Sequence, residues 1–114
     1  MLAQKNRFHG HSSLKYVYRN GTASRSRLFV VKAIENKRRK TSRCSVVVSK
    51  KVLKSAVGRN RIRRRIYHIL HEDIESFTAP YDVVVIVYTS EVGFLPFDEI
   101  RAQLKSQVAE AGVK

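Results

Sequence analysis

Tryptophan is missing from this sequence, and among its 114 residues there are one cysteine, one methionine and two prolines. A single thiol, Cys44, excludes an intrachain disulfide. It lies in Cys44-Ser45-Val46-Val47-Val48, a strand-like run, and reads as a buried thiol in a reducing cytosol, packing as a small hydrophobe. A catalytic thiol needs a base beside it, and none is apparent. No stretch approaches the ~18 apolar residues of a membrane span, and Met1 to Phe8 is basic without the apolar run of a signal peptide. The expectation is a cytoplasmic chain with no membrane partner. Paired carboxylates, a nucleophile–base set and a Gly-rich phosphate loop are also absent, so the protein offers no independent active site. His68 and His71, with Glu72 and Glu75 near, have a spacing that chance often produces on a helix, and no metal site is expected there.

The scarcest feature is negative charge in the first part of the chain. Residues 1–66 hold 20 Lys+Arg and one acid, Glu35, a balance of +19; residues 67–114 hold 3 basic residues and 8 acids, a balance of −5; together they make the net +14. Segregated charge of this size speaks to an electropositive surface for a polyanion rather than to fold. With 43% apolar residues the chain still has enough to bury a core, and its length suits one domain over 1–114.

Residues 1–11 read as a basic arm with Phe8 as an anchor. Ser12 and Ser13 are N-cap candidates for a short helix carrying Leu14, Val17 and Tyr18 on one face, with Gly21 as its stop. Leu28 to Ile34 reads as a strand, Asn36 to Ser42 as an exposed basic hairpin loop, and Arg43 to Ser49 as the returning strand. The longest helical pattern runs from about Ala56 to Phe77, with Ile62, Ile66, Ile69, Leu70, Ile74 and Phe77 on one stripe. Arg61, Arg64, Arg65, His68, His71, Glu72 and Glu75 fall opposite, and Asp73 falls inside the stripe as a misfit. Asp82 to Tyr88, a continuous apolar run, suggests a central strand covered on both faces. Pro96 suits the first turn of a last helix lined by Ile100, Leu104, Val108 and Ala111 and ended by Gly112. This α, β, β, α, β, α order implies an α+β or α/β sandwich.

Chemistry concentrates in residues 49–66, with eight basic residues (Lys50, Lys51, Lys54, Arg59, Arg61, Arg63, Arg64, Arg65) and no acid. Cations at a helix start oppose the macrodipole, and like charges at Arg59/Arg63 and Arg61/Arg65 repel. Glu72, Asp73 and Glu75 near the other end are misplaced in the same sense. A phosphate backbone docked at the helix start reverses the sign of the first effect. Arginine fits bidentate phosphate contact and stacking on bases, and Asn60 offers a donor and an acceptor. Among the early aromatics, Phe8, Tyr16, Tyr18 and Phe29, a base-stacking role competes with core packing; Phe29 reads as core.

At Lys50-Lys51 and Arg59-Asn60-Arg61-Ile62-Arg63-Arg64 the chain resembles the protein subunit of bacterial ribonuclease P. Asn6-Arg7-Phe8, Leu14 and Tyr18, Asn20-Gly21, and Tyr81-Asp82 before a valine-rich run extend the likeness over about residues 6 to 110. The resemblance implies a two-layer α-β sandwich with a four-stranded, mostly antiparallel sheet and a left-handed β-α-β crossover around the basic helix. It also implies a catalytic RNA partner, with Mg²⁺ held mainly by that RNA and none by the protein alone. The precursor-tRNA 5′ leader would lie in a cleft lined by Leu14, Tyr18 and Lys32, with Arg59, Asn60 and Arg63 beside it. Arg61, Arg64, Arg65, Lys50 and Lys51 would serve RNA contacts or support the fold, and Lys54 joins the RNA-binding set. No obligate protein partner is implied. Leu14 is aliphatic where the family often has an aromatic and Lys32 stands where a tyrosine can occur, which shifts leader grip toward charge; Tyr67 stands at an often basic position. The competing reading is a small structural RNA-binding protein such as a ribosomal protein.

Overall fold

The computed structural model describes residues 11–37 and 41–113, without the side chains of 11–14 and 75. The elements are α1 (His11–Asn20), β1 (Thr22–Arg25), β2 (Phe29–Glu35), β3 (Arg43–Val48), α2 (Ala56–Asp73), a 3₁₀ turn (Ile74–Ser76), β4 (Tyr81–Val87), a second 3₁₀ turn (Ser90–Gly93) and α3 (Phe97–Glu110). The expected arm up to residue 10 lies outside the described residues. α1 begins at His11, so Ser12 and Ser13 sit inside its first turn rather than at its cap. Gly21 ends it where expected: its N–H donates to the Val17 carbonyl at 2.8 Å, and a Cβ there would lie 2.6 Å from that oxygen.

The four strands form one sheet in the order β1-β2-β4-β3. β1 and β2 pair antiparallel, as do β2 and β4, whereas β3 and β4 are parallel. This corrects the expected hairpin. β2 and β3 are consecutive in the chain but do not touch, because β4 lies between them. Two features hold β4 there. Alternate residues of β4 fill both faces of the sheet, so it belongs at the centre. Asp82 at its start receives Arg43 Nε at 3.0 Å and Nη2 at 2.8 Å from β3, and Asn36 Nδ2 at 3.0 Å from the end of β2. At the ends of the expected loop, residues 36 and 42 are partly or fully covered and Lys37 is exposed, while residues 38–40 lie outside the described residues.

The pleat sorts the core into two faces. Phe29, Val31, Cys44, Val46, Val83 and Val85 point toward α2 and α3, meeting Ile62, Ile66, Ile69, Ile100 and Leu104. Val84 points to the other face, where Val17 of α1 covers it and Tyr18, Ile34, Val47 and Ile86 pack around the pair. The larger core is therefore a sandwich of two helices on the sheet, with α1 laid across the opposite face. Buried Gln107 of α3 is satisfied by donating from Nε2 to the carbonyls of Ser24 and Phe29 at 2.9 and 3.0 Å. Gly112, with φ at 91°, ends the segment after α3. Among the described residues no helix is long and apolar enough to cross a membrane.

Candidate nucleic-acid interface

Ser55 caps α2: its Oγ accepts from the Gly58 N–H at 3.1 Å, which fixes where the arginine-rich turns begin. Ile62 and Ile66 then anchor the helix to the core with no exposed surface. Residues two apart on a helix are rotated by ~200°, so the arginines on either side of Ile62 leave along opposite flanks. Arg59, Arg63 and Tyr67 run along one flank and Arg61 and Arg65 along the other.

The first flank lies against the edge of β3. Tyr67 Oη accepts from the Val46 N–H at 3.2 Å, and Arg63 Nη2 reaches the Val48 carbonyl at 3.5 Å while Nη1 donates to Asn60 Oδ1 at 2.9 Å. Arg59 folds back on the loop before the helix and donates to the carbonyls of Leu53 and Lys54 at 2.9 and 2.7 Å. Lys50 and Lys51 sit exposed in the turn that leaves β3, and Lys54 is exposed just before the cap. Around the corner of that edge, the face under α1 is only partly covered: Ser45, Val47 and Ile86 remain half-buried.

Tyr18 and Lys32 meet on that face. The Lys32 ammonium lies 5.3 Å from the centre of the Tyr18 ring and donates to the Tyr18 carbonyl at 3.3 Å. Partial burial, and secondarily Tyr88, raise the Tyr18 phenol above its ordinary pKa, so the ring stays neutral. Leu14 is one turn earlier on α1; its side chain lies outside the described set. Tyr16 is exposed and Phe29 is fully buried, which settles the latter as core.

On the second flank, Arg65 donates to the backbone carbonyls of Val92 and Leu95 and lies 5.9 Å from the Phe97 ring centre. Its guanidinium holds the Ser90–Gly93 turn against α2, and burial, then the neighbouring Arg61, lowers its pKa below the ordinary arginine value. Of the two roles expected for Arg65, support of the fold is the one the contacts display. Arg61 lies 6.0 Å from the Phe94 ring centre, and Arg64 is exposed. Phe94 was not singled out from the sequence. The available signal was an apolar ring stranded between Gly93 and Pro96.

Ion pairs among the described residues involve Arg27 with Glu91, Arg43 with Asp82, and Arg101 and Lys105 with Glu72, Asp73 and Asp98. None involves the arginines of residues 59–65, whose charge is met by carbonyl dipoles and solvent rather than by carboxylates. The acids at the far end of α2 are different. Arg101 of α3 grips Glu72 with Nε and Nη2, both at 3.0 Å, and Lys105 lies 3.5 Å from Asp73. For Glu72 and Asp73 the expectation of misplacement is thus corrected, because a neighbouring helix supplies their counterions; the side chain of Glu75 lies outside the described set. Asp73 ceases to be a misfit, since the α-helix ends there and the next turn tightens. His68 is engaged edge-on with Phe97, ring centres 5.5 Å apart, and no group of three or more His, Cys, Asp and Glu gathers among the described residues.

A family model for ribonuclease P matches residues 2–112. The ribonuclease P protein component of Pseudanabaena is 32% identical over 114 residues, covering 99% of this chain and 97% of that one. The component from Chloroflexus aurantiacus is 38% identical over 74 residues, covering 65% of this chain and 54% of that one, so the match spans about half the length of that relative. The solved Staphylococcus aureus RNase P protein superposes with a TM-score of 0.81 at 27% identity over 95% of this chain and 96% of that one. The Thermotoga maritima RNase P protein shares the fold, with a TM-score of 0.75 at 22% identity over 88% and 92% of the two chains. A family match running nearly end to end, on a fold of the same shape, leads to one assignment: the chain belongs to the ribonuclease P protein family.

Proposed function

We propose that the chain is the RNA-binding subunit of a ribonucleoprotein endoribonuclease that removes the 5′ leader from precursor tRNA. The catalytic entity is an RNA partner, which also holds most of the Mg²⁺; the protein binds that RNA and the leader and contributes no active site of its own. One observation carries the reading. The arginines at the start of α2 are fixed on an ordered helix, have no carboxylate partner among the described residues, and stand beside a sheet face that α1 covers only in part. Polyanion and unpaired bases are the complementary ligands of such a surface.

The leader runs between α1 and the open sheet face, past Tyr18 and Lys32 toward Arg59, Asn60 and Arg63, with Leu14 at its rim. Tyr18 supplies a stacking surface and Lys32, held over the ring, a phosphate counterion. Lys50, Lys51, Lys54, Arg61 and Arg64 contact RNA outside the cleft.

Reconstitution tests this reading. The chain is mixed with a bacterial ribonuclease P RNA at low Mg²⁺ and precursor-tRNA cleavage is followed. Stimulation by the protein is expected. No stimulation, with the chain co-sedimenting with ribosomes, would favour a structural RNA-binding protein, and cleavage without added RNA would reveal a protein nuclease. In the reconstituted enzyme, Arg59→Ala and Arg63→Ala are expected to weaken leader-bearing substrate more than mature tRNA, by about 1–2 kcal/mol each as for a lost charged hydrogen bond. Equal loss for both substrates would remove the leader from this cleft.

A further inference from the structure

Phe94 is 75% exposed, in the turn that joins the sheet to α3. A lone exposed apolar side chain is ordinary, but the backbone that carries this one is anchored on both sides. On its N-terminal side Gly93 is buried against Ile62, where an added Cβ would come within 3.3 Å of Ile62 Cγ1. The Phe94 and Leu95 N–H groups both donate to the Glu91 carbonyl at 2.9 Å. Arg65 clamps the carbonyls of Val92 and Leu95, one before and one after Phe94 in the sequence. Arg61 then stands over the ring, 6.0 Å from its centre, and Val57, one turn earlier on the same flank, is 76% exposed. The acid nearest in sequence, Glu91, is held by Arg27 Nη1 at 2.6 Å. An aromatic ring on an anchored backbone and a guanidinium thus stand together, and Arg64, three residues after Arg61 on α2, is also exposed.

We infer that Phe94 and Arg61 form a stacking platform for an unpaired base of the catalytic RNA subunit, on the flank of α2 facing away from the leader cleft. The inference rests on the ribonuclease P function proposed above. Stacking on a ring and a guanidinium plane suits a nucleobase of any identity. The anchored backbone means that little conformational freedom is lost on binding. The RNA subunit rather than the leader is the occupant because Arg59 and Arg63 leave α2 on the opposite flank from Arg61. A protein partner is disfavoured by the surrounding cations and by how small the apolar area is.

The chain has no tryptophan, so Phe94→Trp introduces a single indole reporter. Titration of this variant with a bacterial ribonuclease P RNA transcript is expected to quench its emission with near-native affinity. Phe94→Ala is expected to weaken binding of that transcript about five- to a hundred-fold, with the preference for leader-bearing over mature tRNA unchanged in the reconstituted enzyme. Unchanged affinity in Phe94→Ala with no quenching in Phe94→Trp overturns the inference. So does a loss confined to leader-bearing substrate, or a loss of self-association, read by sedimentation, with RNA affinity intact. If the wild-type chain does not bind the transcript at all, the proposed function falls together with this inference; normal wild-type binding that Phe94→Ala leaves untouched removes the inference alone.

Discussion

At the scale of the residue, the most consequential pair is Arg43 with Asp82, whose side chains are only 10% and 4% exposed. Neither was marked in the sequence as a partner of the other. Asp82 read as the first position of an apolar strand and Arg43 as the first position of the returning strand, and they lie 39 positions apart in sequence. Only the insertion of β4 beside β3 brings them together. Asp82→Ala removes the buried carboxylate to which both Arg43 and Asn36 donate, so it is expected to cost about 3–5 kcal/mol in denaturant unfolding. A loss below about 1 kcal/mol would mean that water replaces the carboxylate. Cys44 is the opposite case, legible from its valine neighbours. Burial, and secondarily Asp82, push its thiol up to about 12, so at pH 8 the folded chain is expected to be silent to thiol reagents and to react with one equivalent only once unfolded.

At the scale of the element, α2 and α3 were readable because their apolar spacing is strong, and Gly21 and Gly112 marked real ends. β1 was not. Its residues, Thr22-Ala23-Ser24-Arg25, lack the alternation that announces a strand and are recruited by the edge of β2. The contact between α2 and α3 was likewise invisible, since Glu72 and Arg101 look unrelated until two helices pack. This contact has a pH signature. Glu72 is held below the ordinary carboxylate range, first by its hydrogen bond to Arg101 and then by the nearby positive charges. A carboxylate with a depressed folded pKa contributes stability above its unfolded value, and that contribution is lost as pH falls through the folded value. Glu72→Gln is therefore expected to lower the melting temperature at pH 7, and the difference from wild type is expected to shrink as pH is taken below the usual carboxylate range. A difference independent of pH would assign the effect to packing alone.

At the scale of the whole molecule, charge was the clearest message: a net +14, concentrated before residue 67, with eight of the 20 basic residues there falling in residues 49–66. If about six phosphates are neutralised, affinity for the RNA partner is expected to fall about 10³-fold between about 50 and 200 mM salt, and a flat response would refute electrostatic docking. The order of strands could not be read in the same way, because the sequence records which segments are strands but not which one enters between the others. That order governs how the chain is made. Strands β1 and β2 emerge first and pair with each other, but β3 finds its neighbour, and β2 its second one, only in Tyr81–Val87. The arginine-rich helix, synthesised before that strand, leaves the exit tunnel before the sheet it packs on is complete. Assembly waits on long-range pairing, so for the time taken to translate about twenty further residues the nascent chain presents its strongest RNA-attracting segment without its finished packing surface, next to ribosomal RNA.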